Sequence, residues 1–224
     1  MPAPISPPTV LVYLRQRTPG ERANYALLIE AAAHFLGVQH NDIFIASECS
    51  QCGGNDHGVP KVSYTKGTSR RRESRPLPLV SLSRTEGIEA VAIASSGRVG
   101  VDVESIERLA IADIDHVAFH SREQSALRLL HVNDQALHRT LLWTAKESIL
   151  KAAGTGLAID PERLFCTFSG TNVTLEEWPE ELGLNVAPEI TVMQLAGTHV
   201  CAVAHEPGAS TIFSWWPSGA TKPS

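Results

Sequence analysis

Asp102 and Glu104, in the valine-rich run "RVGVDVE" (98–104), stand two apart on a stretch that reads as a strand, so both carboxylates project to one face. Val101 and Val103 then point the other way, into a core. Acidic residues are depleted in strands, and two like charges side by side repel unless a cation lies between them. A hard divalent cation suits such a pair. Magnesium takes a few carboxylates and completes its octahedron with water and phosphate oxygens. The alternative is a strand end running out into solvent. A second group lies in "LLWTAKESILKAAG" (141–154), where Leu142, Ala145, Ile149 and Ala152 recur at helical spacing around Lys146, Glu147 and Lys151. Glu147 and Lys151 share a helix face, either as a surface pair worth about 0.2–0.5 kcal/mol or as groups reaching into a site. Should Glu147 join Asp102 and Glu104, three acids and two lysines would surround a metal and a phosphate. Lysine serves there as a point charge, and the chemistry is one in which a protein mostly positions reactants and neutralises developing charge.

The elements that would carry these residues can be read along the chain. "ERANYALLIEAAAHFLG" (21–37) is a helix closed by Gly37, and "DIFIAS" (42–47) alternates like a short strand. A loop dense in Gly, Ser, Pro and Arg follows from Glu48 to Pro78. Two β-rich runs in 77–95 are broken by a turn at Glu86-Gly87, and 98–104 is a further strand. Residues 111–131 and 135–154 read as helices, the second stopped by Gly154. Strands return after Pro161 in "RLFCTFSG", "TNVTLEEW", "EITVMQLAG" and "THVCAVAHE", and residues 206–224 read as a tail with Trp215 and Trp216 docked. "EGIEAVAIA" (86–94) and "AGTHVCAVA" (196–204) echo each other. With the similar element order, this predicts an α+β fold of two similar halves, 1–97 and 98–205, related by a pseudo-twofold. Each half would be a small, mostly antiparallel sheet packed with helices, with a ligand cleft between them.

The chain has 224 residues, 43% hydrophobic and 19% charged, which describes a globular protein with ample length for a core. A net charge of −5 argues against a general nucleic-acid or anionic-membrane binder. The N-terminus lacks a basic region followed by a long apolar stretch, and no window holds 18 consecutive apolar residues. The expected location is cytoplasmic. Cys166 and Cys201 lie in apolar runs and read as small buried hydrophobes. Cys49 and Cys52 form C-x-x-C with His57 close behind, but a zinc ribbon needs a second matching pair, which Cys166 and Cys201 are not. Lys66 and Arg70, Arg71 and Arg72 form a local basic run, either a solvated loop or an anion contact.

The sequence G-V-D-x-E, then about forty residues, then W-[ST]-x-K-E-[SA]-x-x-K is the double signature of the 4′-phosphopantetheinyl transferases. "VGVDVE" (99–104) and "WTAKESILK" (143–151) resemble it closely, with Glu147 placed 45 positions after Asp102. The resemblance is to the longer, monomeric, surfactin-synthetase-activating type. "CGGNDHGVP" (52–60) is similar to the family's G-K-P loop, "VSLSRT" (80–85) to its S-x-S-H-S segment, and "AAGTGLAID" (152–160) to the stretch after the second motif.

That resemblance implies transfer of the phosphopantetheine arm of coenzyme A to a serine of an acyl or peptidyl carrier protein, releasing 3′,5′-ADP. It implies Asp102, Glu104 and Glu147 as ligands of Mg²⁺, a Lewis acid and template for the pyrophosphate. Glu147 would accept the serine proton, and Lys151 would offset charge on the leaving group. Arg22, Gly58, Pro60, Ser83, Arg84, Asp102, Lys146 and Lys151 are the implied coenzyme A contacts. Two departures stand out: Val59 replaces the usual lysine, and Arg84 the usual histidine, adding a permanent charge and a bidentate fork. The basic run 66–72 could compensate. "SIERLAIADI" (105–114) offers Ile106, Arg108, Leu109 and Ile111 as a carrier-protein contact. The expected state is a monomer, with no nucleic-acid or membrane partner. Alternative readings are a non-catalytic relative that binds coenzyme A or a carrier protein, and a Mg²⁺-dependent nucleotide hydrolase.

Overall fold

The computed structural model describes residues 8–18, 20–21, 24–48, 53–54, 58–64 and 76–216. The first run of elements is β1 (Thr9–Gln16), α1 (Ala26–Leu36), β2 (Ile43–Glu48), β3 (Val59–Tyr64), β4 (Leu79–Thr85) and β5 (Ile88–Ala94). The second opens with β6 (Val99–Ser105) and three short helices, α2 (Ile106–Ile111), α3 (Asp115–Ala118) and α4 (Ser121–Leu129). The long helix α5 (Val132–Ala153) follows, then β7 (Phe165–Ser169), β8 (Asn172–Glu177), β9 (Glu189–Leu195), β10 (His199–His205) and β11 (Ser210–Trp215).

The fold is α+β, and its two runs share one ladder plan. β5 pairs antiparallel with β1 and β4, and β10 pairs antiparallel with β6 and β9. Ala94 faces both Val10 and Leu79, as His205 faces both Val99 and Glu189. The hairpins β2–β3 and β7–β8 occupy matching places in the order. One strand breaks the symmetry: β11 pairs parallel with β1, giving the sheets β11-β1-β5-β4 and β6-β10-β9.

Period-two alternation sorts the side chains. Val10, Val12 and Leu14, alternate residues of β5, Val99, Val101 and Val103, and Cys201 and Val203 share one core between the sheets. The opposite face of the first sheet packs on α1 through Tyr13, Val91, Ile93, Leu28 and Ala32. The opposite face of the second packs on α5 through Val200, Ala204, Ala145 and Ile149. Hydroxyl groups join the sheets where no ladder runs. On one side Ser81 accepts from the Val101 amide at 3.0 Å, and on the other Thr191 donates to Thr211 at 3.3 Å.

Three expectations change here. The helix expected over 111–131 is broken, because Ala112 and Phe119 are extended and α4 starts afresh from a capping box between His120 and Glu123. The expected tail contains β11, with Trp216 edge-on to Tyr13 at 5.6 Å between ring centres. The loop assigned to 48–78 contains β3. No helix among the described residues is long and apolar enough to cross a membrane.

Candidate active site

The glycine of the first motif sets the geometry. A methyl group at Gly100 would lie 1.9 Å from the Ser148 carbonyl oxygen and 2.4 Å from the Ala152 amide. Only a residue without Cβ lets α5 settle this closely on β6. That approach brings the second motif onto the outward face of β6, where Gly100, Asp102 and Glu104 alternate with the core-facing valines. The expected strand register is therefore the observed one.

Lys151 Nζ lies 2.6 Å from Asp102 Oδ1 and 4.0 Å from Glu147 Oε2. Ser83, on β4 of the first run, donates to the same Asp102 oxygen at 2.7 Å and accepts from Lys151 at 3.2 Å. Thr85 donates to Glu104 Oε2 at 3.1 Å. So α5, β6 and β4 each contribute to one cluster. Two of its oxygens, Asp102 Oδ2 and Glu147 Oε1, are buried with no hydrogen-bond partner. A buried acceptor left unmatched costs free energy, and both oxygens are lone-pair donors that a cation could use.

The electrostatics agree. Burial, then the Asp102 charge, raises Glu147 to about 7, with Lys151 opposing and Glu104 adding to the rise. Glu104 is raised by burial and then by Asp102. Burial alone would lower Lys151, yet the surrounding carboxylates, Asp102 foremost, raise it above the ordinary lysine value. The acids thus carry more negative charge than one ammonium offsets.

Not every expected residue reaches the cluster. Lys146 must be reassigned. Its side chain is fully buried, and its ammonium donates to Glu123 Oε2 at 2.5 Å, the Ala118 carbonyl at 2.9 Å and the Pro161 carbonyl at 3.0 Å. With three donors engaged, it ties α5 to α3, α4 and the turn at 161–163. The lysine–phosphate contact implied for it is replaced by a buried ion pair, and Glu123 is the partner that the sequence reading missed. Arg84 points away from Ser83 and Thr85, as alternate strand residues do. It is held by Glu89 at 2.7 Å and by the Asn24 carbonyl. Gly58 precedes β3 and Pro60 lies near its start, at the loop end of the β2–β3 hairpin, where Val59 is exposed. Leu109 turns into the core and Ile106 is half-buried, so among the suggested carrier contacts only Arg108 and Ile111 face outward, the latter 86% exposed. Arg22, Cys49, Cys52, His57, Lys66 and Arg70 to Arg72 lie outside the described residues.

Among the described residues no three His, Cys, Asp or Glu groups converge as a finished metal site. The donor set nevertheless suits a hard cation, because the acids offer oxygen ligands and two of those oxygens are unpartnered.

A strand-borne acid pair facing a helix-borne acid and lysine offers oxygen ligands for a cation and an ammonium for an anion. Residues 98–204, the segment carrying both motifs, match the family model of the 4′-phosphopantetheinyl transferase superfamily. Among solved structures, the holo-ACP synthase of Plasmodium yoelii is similar at 14% identity and a TM-score of 0.39, over 49% of this chain and 94% of that one. The holo-[acyl-carrier-protein] synthase of Neisseria meningitidis is similar at 17% identity and a TM-score of 0.41, over 49% and 97%. No curated protein matches the chain.

Proposed function

We propose that the protein transfers the 4′-phosphopantetheine arm of coenzyme A to a serine hydroxyl of an acyl or peptidyl carrier protein, releasing 3′,5′-ADP. The observation that carries this reading is the convergence of Asp102, Glu147 and Lys151, with two carboxylate oxygens left unpartnered where a pyrophosphate would be held. Asp102, Glu104 and Glu147 would bind Mg²⁺, which as a Lewis acid would withdraw charge from the pyrophosphate. Lys151 would offset the charge that builds on the departing phosphate. Glu147 would take the serine proton, directly or through a metal-bound water. Ser83 fixes Asp102, and the exposed Arg108 and Ile111 beside the cluster offer a charge and an apolar contact to a carrier domain. The working unit is a monomer.

The test is mass spectrometry of an apo carrier protein incubated with the protein, coenzyme A and Mg²⁺. A gain of one phosphopantetheine arm on the carrier serine, lost in Glu147→Ala, supports the proposal. An unmodified carrier with free phosphate or nucleotide released from coenzyme A would replace it with hydrolysis.

A further inference from the structure

The two acids of β6 are held by parallel relays, one recognised above and one not. In the first, Lys151 donates to Ser83 at 3.2 Å, and Ser83 donates to Asp102 Oδ1 at 2.7 Å. In the second, Arg108 Nη1 approaches Thr85 Oγ1 at 3.4 Å, and Thr85 donates to Glu104 Oε2 at 3.1 Å. Each relay runs from a cation through a β4 hydroxyl to a β6 carboxylate, one strand repeat apart. A hydroxyl has one proton and two lone pairs, so a cation that takes a lone pair directs the single proton to the acid.

Nothing else in the contacts of Thr85 competes for that role. The residue is buried, and in the ladder between β4 and β5 its backbone is paired with Ile88, so its side chain is free for β6. Arg108 makes no ion pair with an acid at contact distance among the described residues, and it adds attraction to the Glu104 carboxylate. We propose that Thr85 and Arg108 are positioning residues. They fix one oxygen of Glu104 so that the other is presented to the cation expected between Asp102, Glu104 and Glu147. This rests on the metal-centre reading of the site, and it gives Arg108 a task inside the enzyme as well as at its surface.

The cost of losing such outer partners is typically about 10–100-fold in metal affinity. The test uses the full chain with coenzyme A, titrated with Mn²⁺ and read by the electron-spin-resonance signal of the free ion. Thr85→Val keeps the shape and removes the hydroxyl, and should weaken Mn²⁺ binding by about 10-fold or more. Thr85→Ser should bind within about 3-fold of the parent, and Arg108→Met should fall between the two. Thermal midpoints of all three are measured alongside, because a merely structural role would lower the midpoint of Thr85→Val without the serine variant restoring ion affinity. Thr85→Val binding Mn²⁺ as tightly as the parent overturns this proposal alone. A parent protein that binds no Mn²⁺ overturns the metal-centre reading and this proposal with it.

Discussion

The two runs of elements place different chemistry on matching positions. Asp102 and Tyr13 occupy the same rung, the fourth of their ladders with β10 and β5. The helices facing them end alike, at the left-handed glycines Gly154 and Gly37. Counting back from those caps, Lys151 matches His34 and Glu147 matches Glu30. Contacts follow the correspondence: Lys151 holds Asp102 at 2.6 Å, and Tyr13 is bonded to His34 Nδ1 at 2.9 Å. Glu104 corresponds to Arg15, which is neutralised by Glu89 at 2.6 Å. In the first run the positions are closed off, because Trp216 sits edge-on to Tyr13 and donates to Glu30. In the second run carboxylate oxygens are left bare. One scaffold thus supports an aromatic cluster in one place and an acid cluster in the other, and bare carboxylate oxygens distinguish the second copy. A division of the chain at residue 97, which we propose, falls in the bend between these copies.

Disrupting the second copy should have the larger consequences. Lys146→Met leaves Glu123 buried without its cation and should lower stability by about 3–5 kcal/mol in chemical denaturation. Adding Glu123→Gln, which removes the buried charge but keeps an acceptor for the Cys166 amide, should restore part of it, and a double variant as weak as or weaker than Lys146→Met would mean the pair is not the partnership described. Glu147→Gln should reduce carrier modification by about 100-fold or more, whereas Glu30→Gln, its counterpart, should leave the rate alone. Equal losses in the two variants would dissolve the contrast.

Burial and neighbouring acids raise Glu147 from 4.5 to about 7. A carboxyl raised by folding binds its proton more tightly when folded, so its contribution is complete below 4.5 and is lost as pH climbs through 7. Metal-free protein should therefore lose up to about 3 kcal/mol across that window, and Glu147→Gln should flatten the slope in melts run with a chelator. Gly100→Ala should cost about 1–3 kcal/mol, with a larger proportional fall in transfer as α5 is displaced. The smallest effect belongs to Trp216→Phe, which removes one hydrogen bond to Glu30. It should shift stability by about 1 kcal/mol without altering the turnover of carrier protein.

The acid cluster was legible in the sequence because strand periodicity put Asp102 and Glu104 on one face, and the resemblance of the two motifs to the transferase signature joined Glu147 to them. Lys146 was misread because a lysine beside a catalytic acid looks the same whether its ammonium meets a phosphate or a buried glutamate 23 positions away. Thr85 stood in "VSLSRT" unremarked, although alternating hydroxyls on a buried strand face are themselves a request for polar partners. β1 escaped notice because Tyr13 and Leu14 are both buried, on opposite faces, which blurs the alternation. β3 was hidden by Pro60, tolerated because its hairpin is two-stranded. β11 had no local signal strong enough to separate it from a tail.

The parallel pairing of β11 with β1 has a temporal consequence. Thr9 meets Ser210, so the first sheet lacks a neighbour on one side until some two hundred residues have left the ribosome. Sequential maturation, with the leading portion finished before the trailing one emerges, is thereby denied to this chain. Contacts of such sequence separation also slow folding, and during that interval the margin of β1 stays open to pairing with another strand.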